Sequence, residues 1–319
     1  MVNYWMQAPW RLHPIYISGK VPLTTKSVRK LSRRKFIEAL TAYCFIAPDF
    51  LGLLIFVIIP IIYAIIISFY HWDLISEKVF IGFGNYSRMF SDENWWNSLG
   101  RTLKLTIIYV PTLFCTSLFL AVLIDSVKSR LNSFIKTAIL MPFAITSVIA
   151  STLWMFLYNE KRGFINAFLN LFGIPDQPFL GSQDQALFSI ILVLLWINLG
   201  YNMLLFLSAI KEVPASYFEA AMIDGANRWQ TFRYIMFPLI KPTSIFILIT
   251  TTIASFQVMD LIMVMTKGGP FKATEVGVLY IFDKSFNLLD LGYGSTLSIC
   301  LFVILFIFSF FQSKAVSEE

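Results

Sequence analysis

The sequence predicts an all-α membrane protein, a bundle of six transmembrane helices, and three observations carry that prediction. Hydrophobic residues make up 57% of the 319 residues, charged residues only 14%, and the mean hydropathy of +0.70 is too high for a soluble domain of this length. Six apolar runs, each close to the ~17–25 residues that cross a hydrocarbon core as a helix, alternate with polar loops. Lipid-exposed backbone has to satisfy its own hydrogen bonds, so the runs read as helices.

Taken in order, residues 1–42 form a basic tail carrying Arg11, Lys20, Lys26, Arg29, Lys30, Arg33, Arg34 and Lys35, with no run able to cross a bilayer. Lys26 to Leu40 suits either a basic amphipathic helix on anionic lipid or a solvated tail. A cleaved signal peptide is not expected, because the first apolar run is about twice the length of a signal core and no small-residue cleavage site follows it. The spans are placed at Tyr43–Phe69, Leu103–Ile124, Phe134–Tyr158, Ala186–Ile210, Thr243–Thr266 and Ser295–Phe311, with Pro48 and Pro60 able to kink the first. The domain reading is therefore a tail (1–42), a six-helix domain (43–312) and a short C-terminal tail (313–319).

The net charge of +6 does not indicate nucleic acid, since the cations lie mostly in the tail and short loops. With both termini inside, sixteen cations fall on the cytoplasmic side and nine on the other, and that bias sets the predicted orientation. The opposite-face loops, 71–100, 159–185 and 267–294, are longer. They hold Gly, Pro, Asn and the pair Trp95-Trp96, expected as interfacial anchors. Cys44, Cys115 and Cys300 lie far apart without CxxC spacing and read as free thiols.

The polar stretch from Lys211 to Pro242 is the most informative segment. Glu219-Ala220-Ala221 are good helix formers after Pro214, and Asp224-Gly225 is a helix stop because glycine reaches positive φ at low cost. Asn227 can cap a second helix in which Trp229, Phe232, Ile235 and Met236 recur before Pro238 prevents a regular continuation. Physics alone leaves two readings open: an amphipathic hairpin lying on headgroups, or a docking element.

Motif spacing separates them. Glu219-Ala220-Ala221, then Gly225 after three residues, Ile235 after nine more and Phe237-Pro238 resemble the EAA loop of binding-protein-dependent ABC importer permeases. Phe237 stands where that family usually has Leu. Lys267-Gly268-Gly269-Pro270 with Thr274, Leu279-Tyr280 and Phe286 resembles the Gly-Gly-Pro segment of sugar-type permeases; a plain turn is the alternative. As a whole, residues 43–312 resemble a type I ABC importer permease of the maltose, lactose and glycerol-phosphate class.

What the resemblance implies is specific. The loop would be a coupling helix seated in a cytoplasmic ATPase, with Glu219, Ala220, Ala221, Asp224, Gly225, Ile235 and Pro238 as the coupling residues. Ala220 and Ala221, being small, would let the helix approach the ATPase wall, and bulky replacements there should collide with that wall rather than with this chain. The implied partners are a second homologous permease, two ABC ATPase subunits and an extracytoplasmic solute-binding protein, in a bacterial inner membrane. The solute would be a sugar or oligosaccharide, and an acidic one such as an alginate fragment stays among the candidates. ATP and Mg would be used by the partner subunits, and this chain would bind no cofactor.

Polar side chains at bilayer depth usually face a bundle interior or an aqueous cavity. Asn198, Tyr201 and Asn202 on span 4, and Gln257 and Asp260 on span 5, are the candidates for the solute path. The alternative is that the amides only bond neighbouring helices. Trp154 and Tyr158 suit either stacking on a sugar ring or an interfacial position. His13 and His71 have no plausible catalytic partner, and the chain lacks GxxxxGK[ST], so a catalytic role is not expected. A stand-alone secondary transporter or channel remains the rival; it leaves the EAA-type loop without a purpose.

Overall fold

A computed structural model describes residues 25–126 and 131–317, with side chains from 35 to 126 and from 132 to 314. Most of the basic tail's side chains, His13 and the cations Lys128 and Arg130 therefore lie outside the described residues.

The described residues up to Ile61 form one compact unit and those from Ile62 onward a second. The first described helix, α1 (Thr25–Leu53), passes through a π turn at Leu54–Ile58 into α2 (Ile59–Ile67). The tail from Thr25 is thus helical and continuous with the first span. Proline has no N–H to give the preceding turn, and just before Pro60 the Ile59 N–H reaches back five residues to Leu54. Phe45, Phe50 and Phe56 are exposed, as on a lipid-facing surface.

In the second unit a small hairpin, β1 (Tyr70–His71) with β2 (Val79–Phe80), precedes α3 (Gly84–Phe90) and the long α4 (Glu93–Ser126). The third span departs from expectation. It is not one helix but α5 (Leu131–Leu140), a 3₁₀ turn at Met141–Ala144 and α6 (Ser147–Leu157), bent by 100° between the two halves. Pro142 lies in the 3₁₀ turn, and Thr146 restarts the helix by accepting the Ile149 N–H at 3.5 Å. Apolar continuity therefore concealed a break. The next elements are α7 (Phe164–Asn170) and α8 (Gln183–Glu212), which is the longest unbroken partner of α4.

After α8 come α9 (Ala215–Ile223), α10 (Arg228–Thr231), a π turn at Phe232–Met236, α11 (Phe237–Leu239), α12 (Lys241–Phe256) and α13 (Asp260–Met265). The chain closes with α14 (Gly277–Phe282), a π turn at Asp283–Asn287 and α15 (Leu291–Ser317). Among the described residues five helices are long and apolar enough to cross a membrane, and the bent pair, counted as one broken span, brings the number to six.

Two apolar clusters fill the space around α4 and α8. One joins Leu105, Tyr109 and Leu113 to Ile190, Leu194, Ile197, Leu261 and Ile262; the other joins Leu118 and Ala121 to Met203, Phe206 and Ile247. Trp95 is fully buried in a third cluster with Tyr280 and Tyr293, so it is a core residue, while Trp96 is half exposed. The close approach of α8 to α5 depends on Gly200, where a Cβ would strike the Ile139 carbonyl oxygen and the Leu140 backbone.

Candidate functional sites

The loop after α8 folds as two helices about a sharp turn. Pro214 starts α9, where a missing N–H costs nothing, and Gly225 ends it at φ +77°. The Gly225 N–H reaches the Met222 carbonyl at 3.2 Å and the Ala226 N–H reaches the Ala221 carbonyl at 2.9 Å. That pair of bonds is the Schellman arrangement, which satisfies carbonyls otherwise left over at a helix end. Asn227 and Gln230 then form a reciprocal capping box, at 2.8 and 2.9 Å.

The second arm does not stop at Pro238. A π turn delivers the Phe237 N–H to Phe232, and the chain continues through α11 until Ile240, where α12 takes over. Phe232, Met236 and Phe237 pack on the cluster around Ile240 and Met203, so this arm rests against the bundle, with Ile235 half-buried and Pro238 exposed. The turn is presented outward. Glu219, Ala220, Asp224 and Gly225 are exposed, and Met222 and Ile223 are 68% and 86% exposed. One expectation is corrected: Ala221 is only 4% exposed, so bulk there meets this chain itself, and Ala220 is the open small residue.

At the other candidate site, span 5 is interrupted. The α12 helix ends at Phe256, residues 257–259 are not helical, and α13 starts at Asp260. Gln257 and Asp260 therefore belong to two sides of a break rather than to one helical face. Irregular backbone at membrane depth is tolerated where it lines a cavity or is buried in protein. A cavity of about 420 Å³ lies here, lined by the span-3 break (Phe143, Ile145, Thr146, Ser147, Val148), by Leu194, Ile197 and Asn198 of α8, and by Asp260 and Leu261. Two broken spans and one unbroken helix thus line it.

Of the five residues named for the solute path, Asn198 and Asp260 line the cavity. Asn198 donates to the Leu194 carbonyl at 2.9 Å, and its side chain also meets the Tyr109 hydroxyl. Asn202 is 3% exposed, and its amide donates to the Asn198 backbone carbonyl, so it acts inside its own helix. Tyr201 stacks on Phe143 with ring centroids 4.6 Å apart. Gln257 is exposed at the helix end, outside the lining. Trp154 and Tyr158 are neither a platform nor interfacial: both pack on the main core, and the Tyr158 hydroxyl donates to the Ser189 carbonyl. The hydroxyls of Thr250, Thr251 and Thr252 return to their own helix, while Ser255 also meets Thr106 across to α4 at 2.8 Å.

A polar network at the far end of the bundle was not anticipated. One oxygen of Asp92 accepts the hydroxyls of both Tyr280 and Tyr293 at 2.6 Å, and the other accepts the Asn94 and Trp95 N–H groups at the start of α4. Burial by itself raises the Asp92 pKa, but the two tyrosine bonds, the Trp95 N–H and nearby Lys284 outweigh it and hold the carboxyl below its ordinary value. Arg88 pairs with Asp290 at 2.6 Å and lies over the Tyr293 ring. Burial raises the Glu275 pKa, against the pull of Lys272 and Arg101, each 3.8 Å away. The Gly-Gly-Pro segment is a built turn: Thr274 is fully buried and bonds Gly269 and Thr266 at 2.7 Å.

A predominantly helical membrane bundle that presents a capped helix-turn-helix on one face, and carries a cavity at two helix breaks, has the architecture of a transport permease. Residues 80–318 match the family described as binding-protein-dependent transport system inner membrane component, and the chain belongs to that family. It is 34% identical over 286 residues to a trehalose/maltose transport system permease protein of Thermococcus litoralis, covering 89% of this chain and 96% of that one. It is 32% identical over 289 residues to an sn-glycerol-3-phosphate transport system permease protein of Agrobacterium fabrum, covering 89% and 97%. A solved bacterial ABC transporter for the import of the acidic polysaccharide alginate shares the fold, with a TM-score of 0.80 at 22% identity over 89% of this chain and 98% of that one.

Proposed function

We propose that this chain is one of two permease subunits of an ATP-driven importer that moves a sugar or oligosaccharide handed over by an extracytoplasmic binding protein. The observation that carries the reading is the exposed turn of α9, built on a Schellman closure and a capping box and tipped by Met222 and Ile223. A family member with such a projection has a use for a cytoplasmic partner, and apolar side chains this exposed favour burial in one. Both termini and this loop then lie in the cytoplasm, and two ATPase subunits bind ATP and Mg.

Closure of the ATPases on ATP would push the α9 turn, and α8, continuous with it through Val213 and Pro214, would carry the motion to the cavity. Glu219, Ala220, Asp224 and Gly225 form the docking face, while Ala221, Ile235 and Pro238 shape it from behind. The solute path runs past Asn198 and Asp260, with Tyr201, Asn202 and Gln257 around it. Purification of the intact complex, followed by ATPase assay with and without sugar-loaded binding protein, tests the reading. Co-purification of an ATPase and stimulation by the loaded protein are expected; transport by this chain without ATP would instead favour a stand-alone carrier.

A further inference from the structure

The cavity at the two helix breaks carries a charge pattern that bears on the solute. Its lining contains one ionisable side chain, Asp260, and neither Lys nor Arg. Among the described residues no cation stands within ion-pair distance of that carboxylate, and Asp260 is exposed to the cavity rather than packed away. Around it are groups that exchange hydrogen bonds with hydroxyls: the hydroxyls of Thr146 and Ser147 and the carboxamide of Asn198. The remaining lining side chains, Phe143, Ile145, Val148, Leu194, Ile197 and Leu261, are apolar, so that polar and apolar surface face the cavity in about equal measure. Four polar side chains among six apolar ones, in a volume within the ~300–1,000 Å³ of ordinary ligand sites, suit a solute that is itself polar and hydroxyl-bearing.

We propose that this cavity selects an uncharged, hydroxyl-rich solute, and that Asp260 is the residue that turns anionic solutes away. A carboxylate accepts hydrogen bonds only, so it suits sugar hydroxyls, which donate. Against a uronate or phosphate it places like charge on like charge at a site walled on one side by protein, where the effective dielectric is below that of bulk water and the repulsion correspondingly larger. The inference rests on the importer reading and narrows it: a neutral saccharide passes here, an acidic one does not. The shared fold with an alginate importer does not extend to this choice, because a likeness at 22% identity conveys architecture and not lining charge.

The test reads the cavity's charge selectivity without knowing the solute. In the intact complex with Cys44, Cys115 and Cys300 replaced, Ser147→Cys places a thiol in the lining, to be labelled with an anionic (2-sulfonatoethyl) and a cationic (2-trimethylammonioethyl) methanethiosulfonate of similar size. After correction for their reaction with a free thiol in solution, the anionic reagent should react about tenfold more slowly than the cationic one. In the same background Asp260→Asn should bring the two rates together, and Asp260→Ser serves if the asparagine variant does not assemble. Equal rates with Asp260 intact would overturn the proposal, since the charge would then be neutralised in the complex. A bias that survives loss of the carboxylate would overturn it too. Loss of sugar-stimulated ATPase in the unmodified complex would sink the importer reading, and the labelling ratio would still decide the charge of the cavity.

Discussion

The backbone N–H of Ala226 lies 2.9 Å from the carbonyl of Ala221, and Gly225 between them sits at φ +77° with nothing within 4 Å of where a Cβ would be. The requirement for glycine is therefore conformational and not one of space. Gly225→Val should lose the turn, because the left-handed region costs a non-glycine residue roughly 1–2 kcal/mol and a β-branched one more. Gly225→Asn should keep most of it, as asparagine visits that region. The measurement is stimulation of ATP hydrolysis by loaded binding protein in the reconstituted complex. Equal stimulation in the valine and asparagine variants would mean the turn does not transmit coupling, and a hairpin resting on headgroups would become the better account.

Ala220 and Ala221 are adjacent, the first exposed and the second buried, and the two should fail differently. Ala220→Trp adds bulk on the exposed side and should abolish ATPase association while leaving thermal stability in detergent unchanged. Ala221→Trp forces a large ring into a site only 4% exposed and should destabilise this chain by about 1–3 kcal/mol before any partner is present. Size-exclusion co-elution with the ATPase and a melting curve separate the two. A normal melting temperature for Ala221→Trp would show that this face is free after all.

The difference between those alanines also marks what the sequence makes legible. Helix, stop and second helix at 215–239 could be read because Pro214, Gly225 and Asn227 each have a local conformational reason to be where they are. Which of two alanines faces outward has no local signature; it depends on what packs behind α9. The break in span 3 was hidden for a similar reason, since Leu140 to Val148 is nearly all apolar and hydropathy does not report backbone direction. Pro142 and the Thr146 cap were the available signals. In span 5 the three-residue spacing of Gln257 and Asp260 suggests a shared helical face, which the interruption at 257–259 removes. The Asp92 cluster joins residues about 190 to 200 positions apart, so only the fold brings it together.

That cluster predicts a pH dependence. The folded-state pKa of Asp92 is lowered, so its contribution to stability is fully present above the ordinary carboxylate value of 3.8 and is lost as pH falls through the lower folded value. Acid should therefore loosen the joint between α4, α14 and α15. Asp92→Ala, which leaves the Tyr280 and Tyr293 hydroxyls without their acceptor and removes the α4 cap, should cost about 1–3 kcal/mol at neutral pH. It should also flatten the pH dependence below pH 4. Melting curves of the two proteins across that range would decide it; an unchanged acid limb in the variant would assign the effect to other carboxylates.

The last expectation concerns the two amides of α8. Asn198 lines the cavity, whereas Asn202 is buried with its amide donated to the Asn198 carbonyl. One hydrogen bond to a solute is worth about 0.5–1.5 kcal/mol net, which corresponds to roughly a two- to tenfold change in the solute concentration needed for half-maximal uptake. Asn198→Ala should produce that shift and keep the complex assembled. Asn202→Ala should lower the melting temperature while leaving the solute dependence unchanged, because it removes a bond within the helix and none to the cavity. Gln257→Ala, exposed at the end of α12 and outside the lining, should affect uptake less than Asn198→Ala. Solute titrations of uptake in proteoliposomes, run beside melting curves, resolve the three. If Asn202→Ala shifted the titration and Asn198→Ala did not, the path would run on the other side of α8, and the cavity at the two breaks would be a packing defect rather than the route of the solute.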